Sequence, residues 1–249
     1  MRRLLITGFG PFPRFPRNPS ANLARDVAAD PRWRRRLGIA VEALVLETRY
    51  AAIETHLIPK IRDFRPDAIL MLGVAARRRH VSVEMRATNR VSRLMPDAGG
   101  RIAPQLAFQP GAPAALRSHA PLVPMLWAMR RRGVDARLSR DAGRYLCNAA
   151  YFAALMETLP AKAHGGENGA TTAIPVVFIH IPLPQRPDRP ARLPEGKYPR
   201  SNHKPIDATH RPKVIAQKLH AATAEACIAL CLAKRSHSER TGKHMCGKT

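Results

Sequence analysis

The chain has 249 residues, 45% of them hydrophobic types, enough apolar material for one sizeable α/β core and too much for compositional disorder. It carries 42 Lys and Arg against 18 Asp and Glu, a formal net charge of +24, with only 5% aromatic residues. The basic groups, such as Arg34-Arg35-Arg36, Arg77-Arg78-Arg79 and Arg130-Arg131-Arg132, are scattered and lack interleaved aromatics for base stacking, so no specific nucleic-acid partner is expected. No apolar run approaches the roughly 18 residues of a membrane span. The apolar stretch behind Met1-Arg2-Arg3 is too short for a secretory leader, and a cytoplasmic protein without a membrane partner is expected.

Residues 3–7 read as a buried strand that breaks at Gly8-Phe9-Gly10-Pro11, after which Asn18-Pro19-Ser20 opens a helix to about residue 29. A second strand is predicted over residues 39–46, a helix over 50–64 and a third strand over 68–73. Residues 81–88 alternate as one further strand, and 97–111, rich in Gly and Pro, form a long loop. Then come a helix over 122–132 stopped by Gly133, a strand over 134–138, a helix over 141–159, an apolar strand over 175–182 and a last amphipathic helix over 212–234. This alternation predicts an α/β fold with helices on both faces of a parallel or mixed sheet. One domain over residues 1–234 is expected, with an exposed insertion at about 161–173 and a basic, disordered tail over 235–249.

Cys147, within Asp141-Ala142-Gly143-Arg144-Tyr145-Leu146-Cys147-Asn148, falls in the first turns of a helix, where the dipole favours a thiolate. A lone cysteine there is more often an inert core residue. His180 is the one titratable group in the strand Val176-Val177-Phe178-Ile179-His180-Ile181, where a base could reach a helix N-terminus above the sheet edge, or could be a satisfied core histidine. Glu84 has the chemistry to orient an imidazole, and equally that of a solvated ion pair. Cys227 and Cys231, with His237, His244 and Cys246 nearby, match no common zinc spacing, so no metal is expected and core packing accounts for the pair in the last helix.

Taken in order, Thr7-Gly8-Phe9-Gly10-Pro11-Phe12, Asn18-Pro19-Ser20, Gly73-Val74-Ala75 ahead of Glu84, Ala142-Gly143-Arg144-Tyr145-Leu146-Cys147-Asn148 and Phe178-Ile179-His180-Ile181-Pro182 resemble the pyroglutamyl peptidase I family of cysteine peptidases, from about residue 3 to about 234. The resemblance implies a three-layer α/β/α sandwich with a mixed, mostly parallel central sheet, often assembled as a homotetramer. It implies removal of an N-terminal pyroglutamate from peptides through a thioester acyl-enzyme, with no cofactor. Cys147 is then the nucleophile, His180 the general base and acid, and Glu84 the orienting carboxylate. Phe9 and Phe12 match the phenylalanines that pack the lactam ring, Asn18 a loop asparagine, and Gly73 with Val74 the backbone beside the substrate. Arg93 is the nearest match to the family's oxyanion arginine, with Arg90 the alternative.

The chain departs from the family pattern where Pro13-Arg14 and Ala75-Ala76 replace glycines or small turns. Two other readings follow. One keeps the triad but acts on another small lactam or N-acyl amide; the other is a retired hydrolase fold used as a basic nucleic-acid binder, which would have no need of Cys147, His180 and Glu84 together.

Overall fold

The structure, a computed structural model, describes residues 1–12, 16, 18–160, 173–183 and 216–231. In chain order the elements are β1 (Arg2–Phe9), α1 (Pro19–Ala28), α2 (Arg32–Leu37), β2 (Ile39–Leu46), a π-helical turn (Ile53–Leu57) running into α3 (Ile58–Phe64), β3 (Ala68–Val74), β4 (Val81–Glu84), β5 (Arg86–Thr88), β6 (Ala115–Arg117), α4 (Leu122–Arg131), β7 (Ala136–Ser139), α5 (Leu146–Glu157) and β8 (Val176–Ile181). A last helix, α6, covers residues 216–231.

Six strands form one sheet in the order β2-β1-β3-β8-β4-β7. Every neighbouring pair is parallel except β8 with β4. The near-continuous apolar runs of β1, β3 and β8 are what a sheet covered on both faces requires. On one face Leu4, Ile6, Leu70, Leu72, Val177 and Ile179 pack under α1, α2, α4 and α6. On the other, Leu5, Ile69, Met71, Val176 and Phe178 pack under α3 and α5. The expected α/β/α layering with a mixed, mostly parallel sheet is therefore the architecture observed.

Several expected boundaries differ for identifiable reasons. The helix expected over 50–64 begins as a π-helical turn, because Pro59 has no N–H to give and its ring crowds the carbonyl four residues back. The strand expected over 81–88 is two strands: after Met85 the chain leaves the main sheet, and β5 pairs antiparallel with β6 in a separate ribbon. Residues 141–145 are not helical, since Asp141 Oδ1 accepts the Gly143 amide at 2.9 Å and Gly143 adopts φ +82°. The helix expected over 141–159 therefore starts at Leu146, and Cys147 becomes its second residue. α2 was not anticipated; its Arg34, Arg35 and Arg36 are exposed, and Trp33 anchors it by donating from Nε1 to Val27 O at 2.6 Å.

The expected insertion, residue 173 apart, and the expected tail lie outside the described residues, as do both ends of the last predicted helix. Within that helix, Cys227 and Cys231 are buried in the core cluster. Among the described residues no helix is long and apolar enough to cross a membrane.

Candidate active site

β-Strand side chains alternate between faces, so register decides which residues can meet. His180 pairs with Gly73 of β3 on one side and with Ser82 of β4 on the other. Val83 belongs to the core under α1 and α4, which turns Ser82 and Glu84 to the α5 side, the side occupied by Phe178. His180, two residues beyond Phe178, points the same way, and the two rings lie 4.7 Å apart. Its Nδ1 is 2.8 Å from Glu84 Oε1, a buried contact in which Glu84 is fully enclosed.

A third group joins this pair. Arg78 lies in the turn after β3, where its amide bonds to Ala75 O and the Ala75 amide bonds to Ile181 O at the end of β8. From there its guanidinium reaches Glu84 Oε1 at 2.6 Å and Asp141 O at 2.5 Å. In the sequence Arg78 appears only as part of the basic group Arg77-Arg78-Arg79.

Cys147 enters from above the sheet. A Cβ built on Gly73 would lie 2.9 Å from Cys147 Sγ and 2.6 Å from Phe178 Cζ, so the glycine makes the room the sulfur occupies, on the β3 residue in register with His180. Burial pushes the Cys147 thiol up to about 12; the charge of Glu84 adds to this, and a backbone hydrogen bond at Cys147 opposes it. Desolvation here opposes the thiolate that the helix start favours. Helix-dipole stabilisation is outweighed by desolvation and by a carboxylate on the same side of the sheet.

Tyr145, the N-cap of α5, makes no capping bond from its side chain. Instead its hydroxyl donates to Pro96 O at 2.8 Å, and its ring meets Tyr50 edge-on at 6.2 Å. Burial pushes both phenols up to about 12, with Asp97 and Cys147 contributing in each case. Asp97 is buried and accepts the amides of Gly99, Arg101 and Tyr50 at 2.8, 2.9 and 3.1 Å. Asn148, beside the nucleophile candidate, donates to Thr88 O at 2.7 Å and to Arg90 O at 2.9 Å, while its Oδ1 accepts the Thr88 amide.

That clamp ties the backbone of Arg90 to the Cys147 helix. The side chains of Arg90 and Arg93 are both exposed, with no ion pair to either among the described residues. Phe9 is buried with its ring 6.4 Å from Phe178, and Phe12 is half-buried. Asn18 organises the loop between them and α1: its Nδ2 donates to Gly10 O at 3.1 Å, and its Oδ1 accepts from the amide and hydroxyl of Ser20. Val74 differs from its expected neighbour, because its side chain packs on the opposite core, leaving only its backbone on the Gly73 edge. Arg78, Asn148, Tyr50 and Tyr145 were not picked out as site residues. Asn148 was adjacent to the cysteine, but the other three act through contacts between distant segments.

A thiol, an imidazole and a carboxylate brought to one end of an α/β sheet are the equipment of a thiol hydrolase. The family model for pyroglutamyl peptidase matches residues 2–189 of this chain. The pyrrolidone-carboxylate peptidase of Gloeobacter violaceus is 33% identical over 192 residues, covering 77% of this chain and 86% of that protein. The corresponding protein of Cupriavidus necator is 34% identical over 195 residues, covering 78% and 83%. The crystal structure of pyrrolidone carboxyl peptidase from Thermus thermophilus superposes with a TM-score of 0.63 at 28% identity, covering 89% of this chain and 99% of that one. The chain belongs to the pyroglutamyl peptidase family, a family of cysteine hydrolases.

Proposed function

We propose that this enzyme hydrolyses the bond after an N-terminal pyroglutamate, with Cys147, His180 and Glu84 acting as a triad. The observation that carries the reading is the buried His180 Nδ1 to Glu84 Oε1 contact of 2.8 Å beside Gly73, the residue against which Cys147 Sγ packs. Because Nδ1 is engaged, Nε2 is the nitrogen left for the thiol.

The raised thiol makes proton transfer part of the attack. His180 Nε2 takes the Sγ proton as Sγ bonds to the pyroglutamyl carbonyl carbon, giving a tetrahedral oxyanion. The first amides of α5 have no acceptor within the helix and are the donors we assign to that oxygen, with Arg90 or Arg93 supplying positive charge from the clamped loop. The C–N bond then breaks, the imidazolium protonates the departing amine, and a thioester remains. Water attacks it with His180 again as base, and pyroglutamate leaves with Cys147 restored as a thiol.

The lactam has no free α-amine, so its subsite needs no carboxylate. Phe9, Phe12 and the backbone at Gly73 and Val74 suit a flat apolar ring with one N–H and one C=O to satisfy. A nucleophilic thiol requires reducing surroundings, which supports a cytoplasmic enzyme, and we assign residues 1–234 to one catalytic domain. Release of coumarin from a pyroglutamyl-coumarin amide by purified protein, abolished in Cys147→Ser, is the expected result. Absence of turnover alongside cleavage of a different N-acyl amide would move the substrate to another small lactam or acyl group.

A further inference from the structure

Glu84 Oε1 faces two partners at once, His180 Nδ1 at 2.8 Å and Arg78 at 2.6 Å, while Oε2 has no hydrogen-bond partner among the described residues. A guanidinium has donors only and does not lose its proton in a protein, so an oxygen that binds it must be an acceptor. The charged and titratable groups facing this carboxylate come from three other segments: Arg78 from the turn after β3, His180 from β8, and Cys147 with Tyr151 from α5. Arg78 is the sole fixed cation among these four.

A fully enclosed carboxylate beside an imidazole has two ways to share one hydrogen bond. As a carboxylate it accepts from Nδ1–H, and Nε2 keeps its lone pair. As a neutral acid it donates to Nδ1, the ring proton moves to Nε2, and the lone pair that must receive the thiol proton is gone. Desolvation favours the neutral acid and a fixed cation favours the carboxylate. We propose that Arg78 is a positioning residue for the reaction: held on Glu84 Oε1, it keeps that oxygen an acceptor and so fixes His180 in the tautomer whose Nε2 can take the Cys147 proton.

The same contact has a second effect. Glu84's negative charge works against ionisation of Cys147, and a guanidinium on the carboxylate offsets that field as the thiol gives up its proton. Its bond to Asp141 O also ties the Glu84 end of β4 to the loop that leads into α5. The inference rests on the triad reading, but its main readout does not depend on turnover.

The test is nitrogen NMR of the His180 ring in wild type and in Arg78→Met, together with steady-state kinetics on the pyroglutamyl-coumarin amide. Wild type is expected to hold the proton on Nδ1, and Arg78→Met to move ring population to the Nε2–H form. kcat is expected to fall by between about 100-fold and about 10⁴-fold, the range for losing one electrostatic contact or for a wrong histidine tautomer, with KM changed less than about threefold. Arg78→Lys should recover part of kcat and of the Nδ1–H population, and it replaces Arg78→Met if that variant does not fold. An unchanged tautomer in the variant overturns the proposal even if activity drops, since the loss would then come from the Asp141 tie alone. A wild type without pyroglutamyl turnover would instead count against the substrate reading, while the ring tautomers still decide the role of Arg78.

Discussion

The two faces of the central sheet are built from the same strands and do different work. Under α1, α4 and α6 the buried strand side chains are aliphatic: Leu4 and Ile6 of β1, Leu70 and Leu72 of β3, Val81 and Val83 of β4, Val177 and Ile179 of β8. By alternation, the α5 face of these strands carries Thr7, Gly73, Ser82, Glu84 and His180 toward its functional end, and three of those residues hold a buried oxygen without a hydrogen-bond partner among the described residues, Thr7 Oγ1, Ser82 Oγ and Glu84 Oε2. Each such atom costs stability unless something satisfies it. Both faces carry an apolar core, but only the α5 face gives up part of it, at one end of the strands, to polar groups that the chemistry needs.

The largest break in that comparison comes from the catalytic side. Cys147→Ala and His180→Ala are each expected to lower kcat per folded molecule by at least about 10³-fold, because nucleophile and base act as one unit, with the melting midpoint near wild type in Cys147→Ala and lowered in His180→Ala, which strips a partner from the enclosed Glu84. Glu84→Gln should leave a measurable remainder. In wild type, iodoacetamide should alkylate Cys147 ahead of the fully buried Cys227, and His180→Ala should slow that labelling, since a thiol pushed up to about 12 needs its base. Equal labelling rates at the two cysteines would remove Cys147 from the mechanism.

The opposite effect belongs to the aliphatic face. Leu72→Ala removes a fully buried side chain and should cost about 2–5 kcal/mol by denaturant titration, with kcat per folded molecule unchanged. Gly73→Ala, one residue later, combines both kinds of damage. Its Cβ would meet the Phe178 ring at 2.6 Å and Cys147 Sγ at 2.9 Å, so both kcat and the melting midpoint should fall.

Alkaline pH sharpens the comparison more gently, because raised thiols occur on both faces. Cys147 lies at about 12 and Cys231 at about 11 against an ordinary 9.0, and in each burial is the first cause. The folded chain binds these protons more tightly than the unfolded one. Their stabilising contribution is thus complete below about pH 9 and is lost as pH climbs through 9 toward 11 and 12. The melting midpoint should decline over that window, and Cys147→Ala should reduce the slope; an unchanged slope would mean that the sulfur is solvated. The smallest effect is expected at Ser82→Ala, which deletes a buried hydroxyl without a partner among the described residues and should change stability by no more than about 1 kcal/mol, in the stabilising direction.

What could be read from sequence follows the same physics. Apolar strands such as 68–73 and 175–182 announce themselves because a strand buried on both faces has nowhere to place a polar residue, and His180 stands out in its strand for that reason. Cys147 and Glu84 were legible through the motifs around them. Arg78 was not, since its partners Glu84 and Asp141 come together only when the turn after β3 meets the loop before α5. The upward push on the thiol was not legible, because a helix start speaks only for the dipole and desolvation is a property of the packed site. β6 and the break at Met85 escaped notice because three-residue strands carry too little alternation to register.

The loop over 97–111 resembles a lid in composition but is fastened at both ends. Asp97 gathers three backbone amides at its start, and Asn89 grips Gln109 through both its side-chain oxygen and its nitrogen, with Ala112 O as a further acceptor. Tyr145, the residue before the Cys147 helix, adds a further tie through its hydroxyl to Pro96 O, so this segment is already fixed beside the proposed site. If the proposed substrate meets this loop, binding is expected to be spared the entropy of ordering it, and stopped-flow association should show no slow phase from loop closure.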